Sequence, residues 1–475
     1  MPRKRLAFFT RRTVRTKPSV GKTVSQSKRR KDMKRFALVA LLAAMLFGLA
    51  SSASATELKV KGNLDVYGLW SANLRDFDSD NGDADNYFTT QRMRTYFEFL
   101  ASENLKAVLG LEMNADWGQG GGGDWGTDGT TDIAVKHAYL DFMFPDTKVN
   151  VKAGLQTIKL PGAFGNPVFD DDAAALVVSS PITDMFGITV GYTRGADNSD
   201  NYDYEAGKEY KDADDMDMAF LALPVKIDGF AVTPYFAYAW IGENVDLGSK
   251  TQQGLVNANK DRWIAGGDID IWALGANAKL TMFNPLTFEA DLIYGEGEND
   301  KYETKGWYAD LVASYKFDFM TASLFGTYAT GADDETDEDS YLPTLAENWN
   351  LTPYIGGARA FNTGKSNAGF ATDTLGVGRD GTGLWSTGLI LDKISFVDKL
   401  SHKIVLAYAE GTSDEDAGEK WDEQDSAWEV YMVNKYMIYE NLAAINELGY
   451  FAPDFDDDRE DDASYFATIG FAYTF

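Results

Sequence analysis

The stretch that decides the fold is the last one, Tyr465-Phe466-Ala467-Thr468-Ile469-Gly470-Phe471-Ala472-Tyr473-Thr474-Phe475. Tyr465, Ala467, Ile469, Phe471, Tyr473 and Phe475 form an apolar half-set. Phe466, Thr468, Gly470, Ala472 and Thr474 form the other, mostly small or polar. A period of two places the half-sets on opposite faces of a β-strand. The same alternation recurs in Leu105 to Asn114, where Leu105, Ala107, Leu109, Leu111 and Met113 oppose Lys106, Val108, Gly110, Glu112 and Asn114. It recurs again in Arg92 to Phe99, with Met93, Thr95, Phe97 and Phe99 against Arg92, Arg94, Tyr96 and Glu98.

A soluble β-sandwich alternates too, so what bounds the strands has to discriminate. The connections alternate short and long. Short ones include Ser102-Glu103-Asn104, Pro145-Asp146-Thr147, Asp228-Gly229 and Asn284-Pro285; long ones, at 76–86, 118–132, 195–213, 242–267, 332–380 and 412–425, are rich in Gly and Asp. Short turns at one end and long loops at the other characterise a transmembrane antiparallel β-barrel. The rhythm predicts about 18 strands, with 16 as the neighbouring even number, at 58–75, 87–101, 105–117, 133–143, 149–159, 173–181, 186–194, 214–224, 229–241, 268–282, 286–296, 306–317, 320–330, 382–391, 402–411, 426–437, 442–453 and 463–475. An interior of that size is wide enough to hold water. Aromatic residues recur near strand ends, among them Trp70, Tyr87, Trp117, Trp240, Trp307 and Trp428, where headgroup-level girdles would place them.

Charge divides the chain. It carries 44 Lys/Arg and 73 Asp/Glu, but residues 1–55 hold 14 bases and one acid, leaving 30 bases against 72 acids, a balance of −42, for 56–475. Such acidity excludes nucleic acid as a partner. The absence of cysteine removes disulfides and thiolate chemistry, and two histidines, His137 and His402, offer little to His-based catalysis or zinc; no cofactor and no metal site is expected. Phe36 to Ala50 is the one long apolar run, shorter than the roughly 20 residues of a spanning helix. Lys34-Arg35 before it and Ala53-Ser54-Ala55 after it make 33–55 a secretory signal peptide. Residues 1–32 precede Met33, itself a normal start for such a peptide, and read as a mis-assigned or extended leader. Residues 56–475 form one domain.

The third long connection departs from the others. Leu160-Pro161-Gly162-Ala163-Phe164-Gly165-Asn166-Pro167-Val168-Phe169 is apolar with fixed turns and ends on Asp170-Asp171-Asp172. Such a loop suits packing against a wall better than lying in solvent, so it is expected to fold into the pore and present Asp170, Asp171 and Asp172 at a constriction. Arg92 and Arg94, two apart on one strand face, and Lys59 and Lys61 on the first strand, are expected on the facing wall; acids against a basic ladder would set up a transverse field. Lys106, Glu112, Asn150, Lys152 and Gln156 are expected to line the same lumen. Around His137 the alternation slips, which predicts a bulge or strand end. The acidic tracts 333–339 and 454–462 lack EF-hand spacing and read as solvated loop charge.

Together the signal peptide, the segment "AGLQTIKLPGAFGNPVFDDDAAALVVSSPITDMFGITVGYTRG" and the terminal "YFATIGFAYTF" resemble the homotrimeric outer-membrane porins of anaerobic Gram-negative bacteria. The resemblance covers essentially all of 56–475. It implies a trimer of separate pores in contact with outer-membrane lipid and lipopolysaccharide, with passive diffusion of small hydrophilic solutes. The C-terminal Tyr473 and Phe475 are similar to the signal read by the barrel assembly machinery. A substrate-specific channel for sugars or organic anions, and a barrel enzyme using His137 or His402 beside a Ser or Asp, are the rival expectations.

Overall fold

The computed structural model describes residues 56–475 except 75–76, 81–85, 119–131, 198–214, 244, 246–266, 334–337, 347, 362–382 and 418–420. The leader 1–32 and signal peptide 33–55 lie outside the described residues.

Eighteen antiparallel staves close into a barrel. They are β1 Glu57–Ala72, β2 Asn86–Ser102, β3 Leu105–Asp116, β4 Asp132–Met143, β5 Asn150–Lys159, β6 Asp170–Pro181, β7 Gly187–Ala196, β8 Met216–Ala222 continued as Val225–Ile227, β9 Phe230–Ile241, β10 Ile269–Leu280, β11 Leu286–Glu298, β12 Glu303–Lys316, β13 Thr321–Ala329, β14 Leu384–Val397, β15 Leu400–Gly411, β16 Ser426–Tyr439, β17 Leu442–Asp454 and β18 Ser464–Thr474. Pro224 has no N–H to give and falls in the break of β8, as ladder pairing requires. A two-residue strand, Glu338–Asp339, pairs in parallel with the start of β12 and is not a stave.

The decisive final stretch closes the ring. β18 pairs with β17 and with β1, in a register running from Asn63↔Thr474 to Ala72↔Tyr465. Gly62 and Phe475 exchange backbone hydrogen bonds at 2.9 and 3.0 Å, so the C-terminal residue itself seals the seam. Closure leaves no strand edge, the condition for a sheet to cross lipid.

The outer face is the apolar half-set. Leu140, Leu176, Leu274, Leu292, Leu311, Leu324 and Ile469 are exposed on it. Rings crowd its margins: Trp272, Tyr294 and Trp307 run in line at the long-loop end with centroids 5.4 and 4.6 Å apart, and Phe317, Phe319 and Phe396 cluster at the short-turn end at 6.2 and 5.0 Å. The buried residues lie on the opposite face, inside the barrel. That interior core exists because two segments turn inward: the loop 160–169, as expected, and the segment 341–361, which had read as part of a polar loop.

Candidate functional site: the barrel lumen

The loop 160–169 crosses to the wall opposite its origin. Ala163 donates its N–H to Asp291 Oδ2 of β11 at 2.6 Å, Asn166 Nδ2 donates to Tyr235 Oη of β9 at 2.9 Å, and the Phe164 ring meets Phe325 of β13 at 5.8 Å. Asn166 also holds the loop's shape, accepting from the N–H groups of Val168 and Phe169. Gly165 has φ +91°, and a Cβ there would lie 1.9 Å from the Asn348 carbonyl oxygen. Only glycine permits this close approach.

Asn348 belongs to the second segment. Leu345 and Ala346 donate to Val168 O, Asp170 donates to Ala346 O and Asn350 donates to Phe164 O, so the two segments form one ribbon across the lumen. From there 341–361 runs to the wall of β16, β17, β18 and β1. Glu429 of β16 accepts from Thr352 Oγ1 and the Tyr354 N–H. Glu447 of β17 accepts from the Ala360 N–H at 2.7 Å, Tyr431 Oη at 2.6 Å and Thr468 Oγ1 at 2.9 Å, with the Arg359 guanidinium 3.9 Å away. Tyr354 stacks on Phe451 at 4.6 Å and Phe361 on Tyr67 at 4.5 Å. Trp349, fully buried, donates to Tyr308 Oη at 2.7 Å, which in turn donates to Asp310. Buried carboxylates thus serve as anchors, each satisfied by several donors.

The acid run sits elsewhere than expected. Asp170, Asp171 and Asp172 are the first residues of β6, paired with Lys159, Ile158 and Thr157 of β5. The alternation of 173–181 extends back through them, so Asp170 and Asp172 share the face of the outward Leu176 and Val178. Their partners are near neighbours: Asp170 pairs with Lys159 at 2.9 Å, and Asp172 binds Lys136, Thr157 Oγ1 at 2.6 Å and His137 Nε2 at 3.1 Å. Backbone pairing with β5 captures the three acids as strand, with Asp171 on the inward face it shares with Ala175, and the apolar residues ahead of them make the crossing. The structure therefore does not bring Asp170, Asp171 and Asp172 against Arg92 and Arg94.

Those arginines do face the lumen, on the same face as the inward Tyr67. Each is matched on an adjacent strand: Arg92 lies 4.0 Å from Asp65, and Arg94 Nε is 2.5 Å from Glu112. Lys61 pairs with Glu98 at 2.6 Å, Lys59 with Glu57 at 3.6 Å and Lys106 with Asp141 at 3.4 Å. Asn150 donates to Asp141, Lys152 lies 5.7 Å from the Tyr139 ring centre, and Gln156, buried, donates to the Ala175 backbone instead of lining open space. Tyr473 and Phe475 stack at 5.8 Å beside the seam. The wall from β1 to β5 is a mosaic of local ion pairs, not one pole of a transverse field.

His137 does sit at a bulge, where the β3–β4 register slips between Gly110 and Leu111. Its Nε2 meets both Thr157 Oγ1 and Asp172 Oδ1. A proton relay needs base and orienting acid on opposite ring nitrogens, so this trio is not built as one. His402 Nδ1 meets Asn434 at 2.6 Å. At the long-loop rim Asp78, Glu460 and Asp462 bring carboxylates within 4.8 Å of one another, partly open to solvent; the tract 333–339 falls partly outside the described residues.

No family model and no curated protein matches the sequence. Among solved structures the chain is similar to OccAB3 from Acinetobacter baumannii (13% identity, 88% of this chain and 99% of that one, TM-score 0.52), to OpdL from Pseudomonas aeruginosa (13%, 88% and 99%, 0.52) and to OccK11 (OpdR) from Pseudomonas aeruginosa (10%, 88% and 95%, 0.50). At these identities the likeness is one of fold, and the fold is a porin-like barrel.

Proposed function

We propose that this chain is an outer-membrane porin, a water-filled channel through which small hydrophilic solutes and ions diffuse passively. The observation that carries the reading is the charged wall left beside the crossing ribbon. Lys61, Arg94 and Lys106 face the inside of a closed barrel yet stay solvent-exposed at 60%, 27% and 34% of their side chains. An interior that served packing alone would not keep ionised groups in water. The resemblance to homotrimeric porins supports assembly as three separate pores. A second reading, a substrate-specific channel, is favoured by the inturned segment 341–361, which narrows the lumen beyond what one loop would do.

Purified protein in a planar bilayer is expected to give stepwise conductance, in groups of three for a trimer. Inserted protein that conducts nothing would remove both readings.

A further inference from the structure

Several lumen cations are matched by acids, Lys61 with Glu98, Arg94 with Glu112, Lys106 with Asp141 and Lys279 with Glu289, while Lys152 lies over the Tyr139 ring instead. One cavity gathers several unmatched cations together. It has a volume of about 350 Å³, lies towards the short-turn end beneath Ala358–Ala360, and is walled by β14, β15 and β16. Four cations line it, Arg359, Lys393, Lys403 and Lys435, against one acid, Asp392. Arg359 is held by Glu447 and Tyr67. Among the described residues Lys393, Lys403 and Lys435 form no ion pair, and Asp392 acts on Lys403 only from beyond that range.

The placement of these lysines follows from the strands. Lys403 and Lys435 share the inward face with Val405 and Tyr431, both buried against the inturned segment. Lys393 is brought in by an irregularity: β14 slips register twice against β15, between Leu391 and Ile394 and again before Val397, and Lys393 takes φ +55°. Bulges re-aim side chains in this way and are common beside functional sites. Three ammonium groups around one partly enclosed space repel each other, and low-dielectric walls concentrate their field. In a domain with a balance of −42, acids were plentiful and yet were not placed here.

We propose that this cavity is a binding site for a small oxyanion, of carboxylate or sulfate type, taken up by Lys403, Lys435 and Lys393 with the Ser401 hydroxyl as a further donor. Ammonium groups bind such anions through charge-assisted hydrogen bonds. Segment 358–360 roofs the site, so the ribbon that narrows the lumen also shapes the anion pocket. The proposal rests on the channel reading and names the solute class that channel would favour.

The test measures chloride current through reconstituted channels while potassium succinate or potassium sulfate is added. Saturable block by succinate, sulfate or both is expected, and which one blocks identifies the anion class. The double variant Lys403→Gln/Lys435→Gln should weaken block by about tenfold or more, the size expected from losing a charged donor. Lys403→Arg/Lys435→Arg should keep it, and Lys279→Gln, in a paired site, should leave it unchanged. Heat-modifiable migration on gels checks that each variant has folded. Conducting channels that neither anion blocks, or block indifferent to the double variant, would overturn this site alone; wild-type protein that inserts without conducting would overturn the channel reading with it.

Discussion

The two inturned segments do the same thing by different means. The loop 160–169 is shaped from within. Pro161 and Pro167 limit its backbone, Gly165 makes its close turn, and Asn166 caps two of its own N–H groups. Two hydrogen bonds, to Tyr235 and Asp291, then fasten it to the far wall. Segment 341–361 makes one turn of its own, with Thr352 Oγ1 accepting from the Ile355 N–H and Gly356 and Gly357 at φ +87° and +80°, and is otherwise shaped from without. Its course follows Glu429 and Glu447 and the rings of Tyr67, Phe451 and Tyr308, all of which belong to the barrel. A self-shaped loop needs its own turn residues; a wall-shaped segment needs correctly placed partners on strands far away in sequence.

The largest effect should come from excising each in turn. Replacing 342–360 with a short Gly-Ser bridge is expected to raise single-channel conductance severalfold. The cut also removes the partners of Phe164, Asn166 and Val168, so the remaining loop should become noisier. Replacing 161–168 should raise conductance less, because the anchors of the other segment remain. Equal increases in single-channel recordings would erase the distinction between the segments.

A smaller but sharper test removes one anchor of each. Arg359 and Glu447 have fully buried side chains, so Glu447→Ala leaves a buried cation without that carboxylate, at a cost of about 3–5 kcal/mol. Thermal melting should fall, and recordings should show bursts of higher conductance as the segment comes loose. Tyr235→Phe removes one donor's partner in the self-shaped loop, worth about 1 kcal/mol, and should leave conductance steady. Bursts in the Tyr235 variant but not in the Glu447 variant would reverse the assignment.

The same contrast explains what could be read in advance. The strands were legible because period-two alternation needs only local residues, and all eighteen lie close to their expected spans. The loop 160–169 was legible because prolines, glycines and apolar side chains together contradict a solvated loop. Segment 341–361 carries a comparable signal in Leu342, Leu345, Trp349, Leu351, Tyr354 and Ile355, but it lies inside a long connection dominated by Asp, Glu and Gly, and its anchors are single glutamates indistinguishable from other inward strand positions. The lysine cavity was illegible for a related reason. Lys403 and Lys435 sit on different strands, and only the β15–β16 register places both on the inward face, with Ser401 opposite Lys435.

Asp172 gives the smallest expected effect. Three consecutive acids after an apolar loop read as its charged tip, yet β5 pairs with them as strand. Asp172 is mostly buried at the wall, with Lys136, His137 and Thr157 around it. Asp172→Asn keeps an oxygen for the Thr157 hydroxyl and loses the charge opposite Lys136, a partly exposed pair worth about 0–1 kcal/mol. Stability should drop slightly, while conductance and the reversal potential in a KCl gradient stay as in the wild type, since Lys136, His137 and Thr157 already hold this carboxylate at the wall. A shifted reversal potential would instead put this carboxylate in the ion path, and the charge separation between loop and strand would have to be redrawn.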